Sequence, residues 1–229
     1  MAPFYIEQEK FFLSVDCIIL GFTRGKLYLL ISKRRFEPLK DQDTLMGGFL
    51  RSGENLEEAV SRVLYEYTGI RDVYMEQVGT YGKINRDVGE RVISVAYYAL
   101  IDLELFDDEL CKKHHARWEE LDKIGELIFD HNQMVDDTIA ILRSKAAIQP
   151  LGFNLLPEKF TLPQLQSLYE AIYQTTLDKR NFRKKILGMD FLEKQPDKDK
   201  STSKRGAFYY RFNKEKYDQL CQKGYYFSL

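Results

Sequence analysis

"GFLRSGENLEEAVSRVLYEYTGI", residues 48–70, reads as a polar loop leading into a helix with a fixed set of charged positions. Its apolar members Leu56, Ala59, Val60, Val63, Leu64 and Tyr67 recur at helical spacing, and Gly69 supplies the left-handed residue that stops a helix. Gly47 and Gly48 precede the loop, Glu54 sits within it, and Arg62 and Glu66 fall on the later turns. Positions 63, 66 and 67 are i, i+3 and i+4, so their side chains share one face. Three carboxylates on such a face would hold a hard divalent cation, which takes oxygen ligands. This chain has Val63, Glu66 and Tyr67 there, so one carboxylate remains.

Working outward, "FLSVDCIILGF" and "KLYLLISKRR" are branched apolar runs on either side of Thr23-Arg24-Gly25, which suits a hairpin. "DTLMGGFL" is a short apolar piece before the loop. Beyond the helix, "YMEQVGTYGKI" and "ERVISVAYYALIDL" read as two more strands joined by the polar "NRDVG". "IFDHNQMVDDTIAILRSKAA" places Met134, Val135, Thr138, Ile139 and Leu142 on one side of a second helix. Strands with helices between and after them predict an α/β sandwich.

"IQPLGFNLLPEKF", with two prolines and a glycine, marks a boundary, giving domains of residues 1–150 and 151–229. In the second, Thr161 and Gln164 match a capping box before "LPQLQSLYEAIY", and Pro163 lies in the first turn. Asp178 suits the N-cap of "KRNFRKKILGM", where Phe182, Ile186 and Met189 form a buried stripe. "DFLEKQ" and "GAFYYRF" bracket the Lys-rich "PDKDKSTSKR". Helix, turn, helix and basic ribbon is a winged-helix pattern.

Charge divides along the same boundary. Residues 1–150 carry 19 Lys+Arg against 26 Asp+Glu, a net of −7, while residues 151–229 carry 15 against 9, a net of +6. A polyanion suits the basic segment. Arg and Asn have the forked geometry that reads guanine and adenine edges, and Lys suits phosphate. Lys179, Arg180, Asn181, Arg183 and Lys184 are therefore expected on DNA, with Lys200, Lys204 and Arg205 at the wing tip. The bland alternative is a solvated amphipathic helix beside a loop.

The chain is long enough for a real core, and no run approaches the ~20 apolar residues of a membrane span. No secretory signal is visible, and the cysteines, Cys17, Cys111 and Cys221, are odd in number and far apart, which favours reduced thiols in the cytoplasm. His114, His115 and His131 show no metal-site spacing with them. Neither a metal nor a cofactor is expected.

With its flanking glycines, Glu54, Arg62 and Gly69-Ile70, the opening stretch resembles a Nudix box that has lost its metal-binding carboxylates. The whole chain resembles the Nudix-related bacterial transcriptional regulators, in which a degenerate Nudix domain precedes a winged helix. That family includes regulators of NAD metabolism that respond to ADP-ribose and sugar-utilisation regulators of gut bacteria. "TLMGGFL", "YMEQVG", "GERVISVAYYALI", "LIFDH", "GFNLLP", "FTLPQLQSLYEAIY", "DKRNFRK" and "SKRGA" are most similar to the arabinose-responsive branch. The resemblance implies a Nudix-like α/β/α sandwich followed by a winged helix-turn-helix domain. It further implies a homodimeric repressor that binds double-stranded operator DNA and is released by a small sugar such as L-arabinose. It places recognition-helix contacts on residues 179–181, 183 and 184.

A cleft in such a fold takes polar lining from Lys33 and Arg35 at a strand end and from Tyr81, Asp87, Glu90 and Arg91 around a loop. The competing enzyme reading is a divergent pyrophosphohydrolase of a nucleoside diphosphate derivative such as ADP-ribose, using Glu54, Glu66 and a third carboxylate. A third reading makes the tail a module for RNA or a partner helix.

Overall fold

In the computed structural model, which describes residues 7–103, 109, 113–201 and 205–229, the first two apolar runs form a hairpin, β1 (Phe12–Thr23) and β2 (Lys26–Lys33). Its turn is two residues long, with Thr23 opposite Lys26. Then come β3 (Asp43–Thr44), β4 (Met46–Phe49), helix α1 (Leu56–Thr68), β5 (Tyr74–Tyr81), β6 (Val92–Asp102), β7 (Ala116–Glu120) and helix α2 (His131–Ile148). The strands lie in the order β3-β2-β1-β6-β5, with β4 added to β1 and β7 to β2. β1 and β6 run parallel from Phe12 opposite Val92 to Phe22 opposite Asp102, and the remaining pairs are antiparallel.

Period-two alternation along β1 and β6 builds two cores. Val15, Cys17, Ile19, Val95, Tyr97, Ala99 and Ile101 pack with Ala59, Val60, Val63 and Leu64 of α1. Ile18, Leu20, Phe22, Ala96, Tyr98 and Leu100 pack on the other face with Met134, Val135, Ile139 and Leu142 of α2. The result is an α/β/α sandwich followed by a winged helix. On the α2 face the alternation changes chemistry at one end. Ser14, Asp16 and Ser94 stand where Ile18, Leu20 and Ala96 stand further along, and all three are buried.

α1 begins as its sequence dictates. The Asn55 side chain accepts from the Glu58 amide at 2.9 Å, and Glu58 accepts from the Asn55 amide at 2.8 Å. Gly69 ends it at φ 69°, donating to the Tyr65 carbonyl.

The second half continues with β8 (Phe160–Thr161), α3 (Leu162–Tyr173), α4 (Lys179–Leu187), β9 (Leu192–Asp199), β10 (Ala207–Phe212) and α5 (Lys214–Gln222). The capping box of Thr161 and Gln164 forms, and the Asp178 side chain caps α4. β8, β10 and β9 make a three-stranded sheet. The proline-bearing connection is a packed element: Leu151, Leu155, Leu156 and Phe160 are buried in a core continuous with the sheet's α2 face. Phe153, Phe191, Phe212 and Tyr217 cluster under the ribbon, with Phe153 stacked on Phe212 at 4.6 Å. β7 and α5 are additions to the sequence reading. Among the described residues no helix is long and apolar enough to cross a membrane.

Candidate functional site

The polar end of β1 and β6 opens into a cavity of about 250 Å³. Its floor is Asp16, Thr44 and His131, and its walls include Ser32, Arg86, Phe36, Tyr67 and Phe129. Gly47 sits against the floor because a Cβ there would lie 2.2 Å from Asp16 Oδ1. The Ser94 hydroxyl donates to Asp16 Oδ2 at 2.5 Å. Arg86 is buried although it belongs to the polar loop between β5 and β6. Its guanidinium donates to both oxygens of Asp130 at 2.7 to 3.2 Å and lies 3.7 Å from Asp16.

His131 fixes its own tautomer. Its Nδ1 accepts from the Leu45 amide at 3.2 Å, which requires an unprotonated nitrogen there and leaves the proton of the neutral ring on Nε2. Nε2 lies 3.8 Å from Asp16 Oδ1. Burial pushes the imidazole below its ordinary pKa, against the pull of Asp16.

Of the residues expected to line a cleft, Lys33, Arg35 and Asp87 do so. Tyr81, Glu90 and Arg91 do not. The Tyr81 hydroxyl donates to Asp137 of α2 at 2.6 Å, Arg91 donates to the carbonyls of Gly82 and Lys83 and covers Phe11, and Glu90 is exposed on the loop. Lys33 is engaged with Asp43 at 3.0 Å, and Arg34 braces the rim by donating to the Pro38 carbonyl between the Phe36 and Phe129 rings. Sequence reading missed Asp16, Arg86 and His131. Asp16 could have been found: it is a charge inside an otherwise apolar strand run.

The box residues have structural employment. Arg62 donates to both Glu54 oxygens at 2.6 and 2.9 Å and to the Phe49 carbonyl. That guanidinium holds the Glu54 carboxyl at a pKa of about 2. Glu66 is exposed, 3.7 Å from Arg51 and from Arg62. Val63 is buried in the α1 core and Tyr67 is a cleft wall. Among the described residues no three His, Cys, Asp or Glu side chains gather where they would hold a metal ion.

In the winged helix, α4 buries Phe182 and Ile186 and exposes Lys179, Arg180, Asn181, Arg183 and Lys184. None of these cations is ion-paired among the described residues. The α3–α4 turn is fixed from within: Gln166 donates to the Leu177 carbonyl and Glu170 accepts from the Leu177 amide, each at 2.9 Å. On the ribbon, Lys194 and Lys198 lie over the Phe208 ring, leaving exposed Lys200 and Arg205 at the tip. Lys204, also expected there, lies outside the described residues.

Residues 10–138 match the NUDIX domain family and residues 152–212 match the NrtR DNA-binding winged helix domain. The chain is also 33% identical over 210 residues to the "ADPR responsive transcriptional repressor NtrR" of Acinetobacter baylyi, covering 90% of this chain and 84% of that one. It belongs to the NrtR-type family of transcriptional regulators. Within that family, its structure is similar to the crystal structure of Shewanella oneidensis NrtR complexed with a 27mer DNA, with a TM-score of 0.80, 28% identity, and coverage of 87% and 93% of the two chains. The Nudix half is 32% identical over 135 residues to an ADP-ribose pyrophosphatase of Methanocaldococcus jannaschii, covering 58% of this chain and 78% of that one. An NrtR-type regulator therefore shares its first domain with hydrolases.

Proposed function

We propose that this regulator is a cytoplasmic, homodimeric repressor of a sugar-utilisation operon, released from its operator when a compact sugar, L-arabinose by the resemblance of its sequence, fills the cleft. Residues 1–150 then sense and dimerise, and residues 151–229 bind DNA. Arg180 and Asn181 read base edges, with Lys179, Arg183, Lys184, Lys200, Lys204 and Arg205 on or near phosphates. A dimer would meet two half-sites separated by about 10 bp or a multiple of it.

The observation that carries the effector reading is the cavity itself. At about 250 Å³ it falls below the ~300–1,000 Å³ of most ligand pockets. Its floor offers the Asp16 carboxylate, the His131 ring and the Thr44 hydroxyl. The Asp16 carboxylate can accept from sugar hydroxyls, with Arg86 3.7 Å away to balance its charge. The rings of Phe36, Phe129 and Tyr67 suit the apolar face of a sugar ring. Hydrolysis has no place in this reading, since Glu54 is committed to Arg62 and Val63 offers no ligand.

A second reading, ADP-ribose as effector, is favoured by the Acinetobacter baylyi relative named for that response and by exposed Arg35 at the rim. Thermal unfolding with L-arabinose, other pentoses and ADP-ribose separates the two. A ligand at 100 times its Kd stabilises the native state by about 2.7 kcal/mol. Stabilisation and operator release by L-arabinose alone support the first reading; by ADP-ribose alone, the second. Metal-dependent turnover of ADP-ribose, abolished by Glu66→Gln, would overturn both in favour of the enzyme.

A further inference from the structure

One helix touches both the cleft and the winged helix. The first residue of α2, His131, is in the cleft floor, and Asp130 just before it clamps Arg86. Twelve residues on, or about 18 Å along the axis, Arg143 Nε donates to the Ile172 carbonyl at 2.9 Å. Ile172 is in the last turn of α3, where carbonyls lack helical partners and the helix dipole is negative, so a guanidinium is doubly suited there. Glu170, two residues before Ile172, holds the Leu177 amide, and Leu177 adjoins the Asp178 cap of α4.

α2 is fastened along its length as well. Asp137 accepts from Tyr81, and Lys145 donates to Glu76, which also accepts from Tyr74 and Tyr98. The Leu229 amide donates to the Ala147 carbonyl at 3.1 Å, tying the C-terminal segment to the same end of α2. A helix held this way moves as a rigid body or stays still.

We propose that α2 couples cleft occupancy to the placement of α4, and that Arg143 is the positioning residue that passes the displacement to α3. The proposal rests on the cleft being the effector site. A ligand bearing on Asp16 and His131 shifts the start of α2; Arg143 carries the Ile172 carbonyl with it; the Glu170–Leu177 clamp then moves the N-terminus of α4, where Arg180 and Asn181 stand. Arg143 lines neither the cleft nor the exposed face of α4. Its loss therefore removes the polar link from α2 to the end of α3 and leaves both binding sites intact.

The test uses the full chain, a duplex enriched by the wild type from a random library, and L-arabinose and ADP-ribose as probes. In the wild type, the active probe weakens duplex binding by the roughly 5- to 150-fold usual for allosteric coupling. In Arg143→Met, duplex affinity without probe and probe affinity without duplex are each expected to stay within about twofold, while release falls to less than about a third of the wild-type factor. Arg143→Lys, which keeps a donor and a charge, restores part of it. Unchanged release in Arg143→Met overturns the proposal. If neither probe releases the wild type, the effector reading fails, and amide exchange at Leu45, the donor to His131, decides the coupling alone. Duplex binding must alter that exchange in the wild type and not in Arg143→Met; no change in the wild type overturns the proposal.

Discussion

Arg86→Met is the most informative single change at the cleft. The Arg86 side chain is 3% exposed and makes three hydrogen bonds to Asp130 at 2.7, 3.0 and 3.2 Å. Methionine fills similar space but removes the cation that faces both Asp130 and Asp16. Breaking one side of a buried pair costs about 3–5 kcal/mol. The Asp130 side chain retains 16% exposure, so water relieves part of its loss and the lower figure applies. For a chain of this size about 3 kcal/mol corresponds to a Tm lowered by roughly 6–12 °C. Arg86→Lys keeps charge without the fork and should fall between. Circular-dichroism melts of the three proteins at pH 7 check this. A drop under about 2 °C for Arg86→Met, or identical losses for the two variants, would refute the assignment of Arg86 as the ion that holds the β5–β6 loop to the sheet.

At the DNA interface, Arg180→Ala and Asn181→Ala should each cost about 1–3 kcal/mol and relax preference at particular base positions, read by binding to a panel of single-base operator variants. Lys200→Ala should weaken all sequences alike and reduce the salt slope by about 0.9; position-specific loss there would count against a phosphate role. For His131 the folded pKa lies below the unfolded value of about 6.5. Its contribution is thus fully present above that pH and is lost as pH falls through the folded value. His131→Gln should flatten this part of the stability profile, measured as urea midpoints from pH 8 to 5. The Tyr169 hydroxyl is fully buried without a hydrogen-bond partner among the described residues. Tyr169→Phe should accordingly leave stability unchanged or raise it by about 1 kcal/mol, and a loss above that would reveal a partner.

Periodicity made the long elements legible. β1, β2 and β6 carry largely apolar runs, α1 shows helical spacing and its Gly69 stop, and α3 and α4 announce their caps at Thr161 and Asp178. The basic face of α4 was legible for the same reason, since Phe182 and Ile186 fix which side is buried. β7 was not, because "ARWEE" is too short and too charged to alternate visibly; its pairing with β2 decides it. The cleft was only half legible. Lys33 and Arg35 sit at a strand end and Asp87 on a loop, where exposure is the ordinary expectation. Arg86 looked like one more loop residue because its two carboxylate neighbours, Asp16 and Asp130, lie far away in sequence. Tyr81 failed as a cleft residue because Asp137, 56 positions on, captures its hydroxyl.

The residues of the box-like stretch have a physical account in packing. Glu54, Arg62 and the flanking Gly47 and Gly48 answer to packing that no metal supplies. Glu54 joins the Arg51 amide to Arg62, and Arg62 reaches on to the Phe49 carbonyl, so one ion pair closes the loop between β4 and α1. Gly47 has no room for a Cβ beside Asp16, and a Cβ at Gly48 would stand 3.2 Å from Val63. Positions 63 and 67 have no such duty: Val63 packs in the α1 core and Tyr67 lines the cleft. Tyr67 puts a half-buried ring on the wall beside Ser32, and its burial pushes the phenol up, so it stays neutral. That wall is an uncharged surface beside the paired Asp16 and Arg86. Under the proposed reading, an uncharged ring at position 67 suits a neutral, hydroxyl-rich ligand.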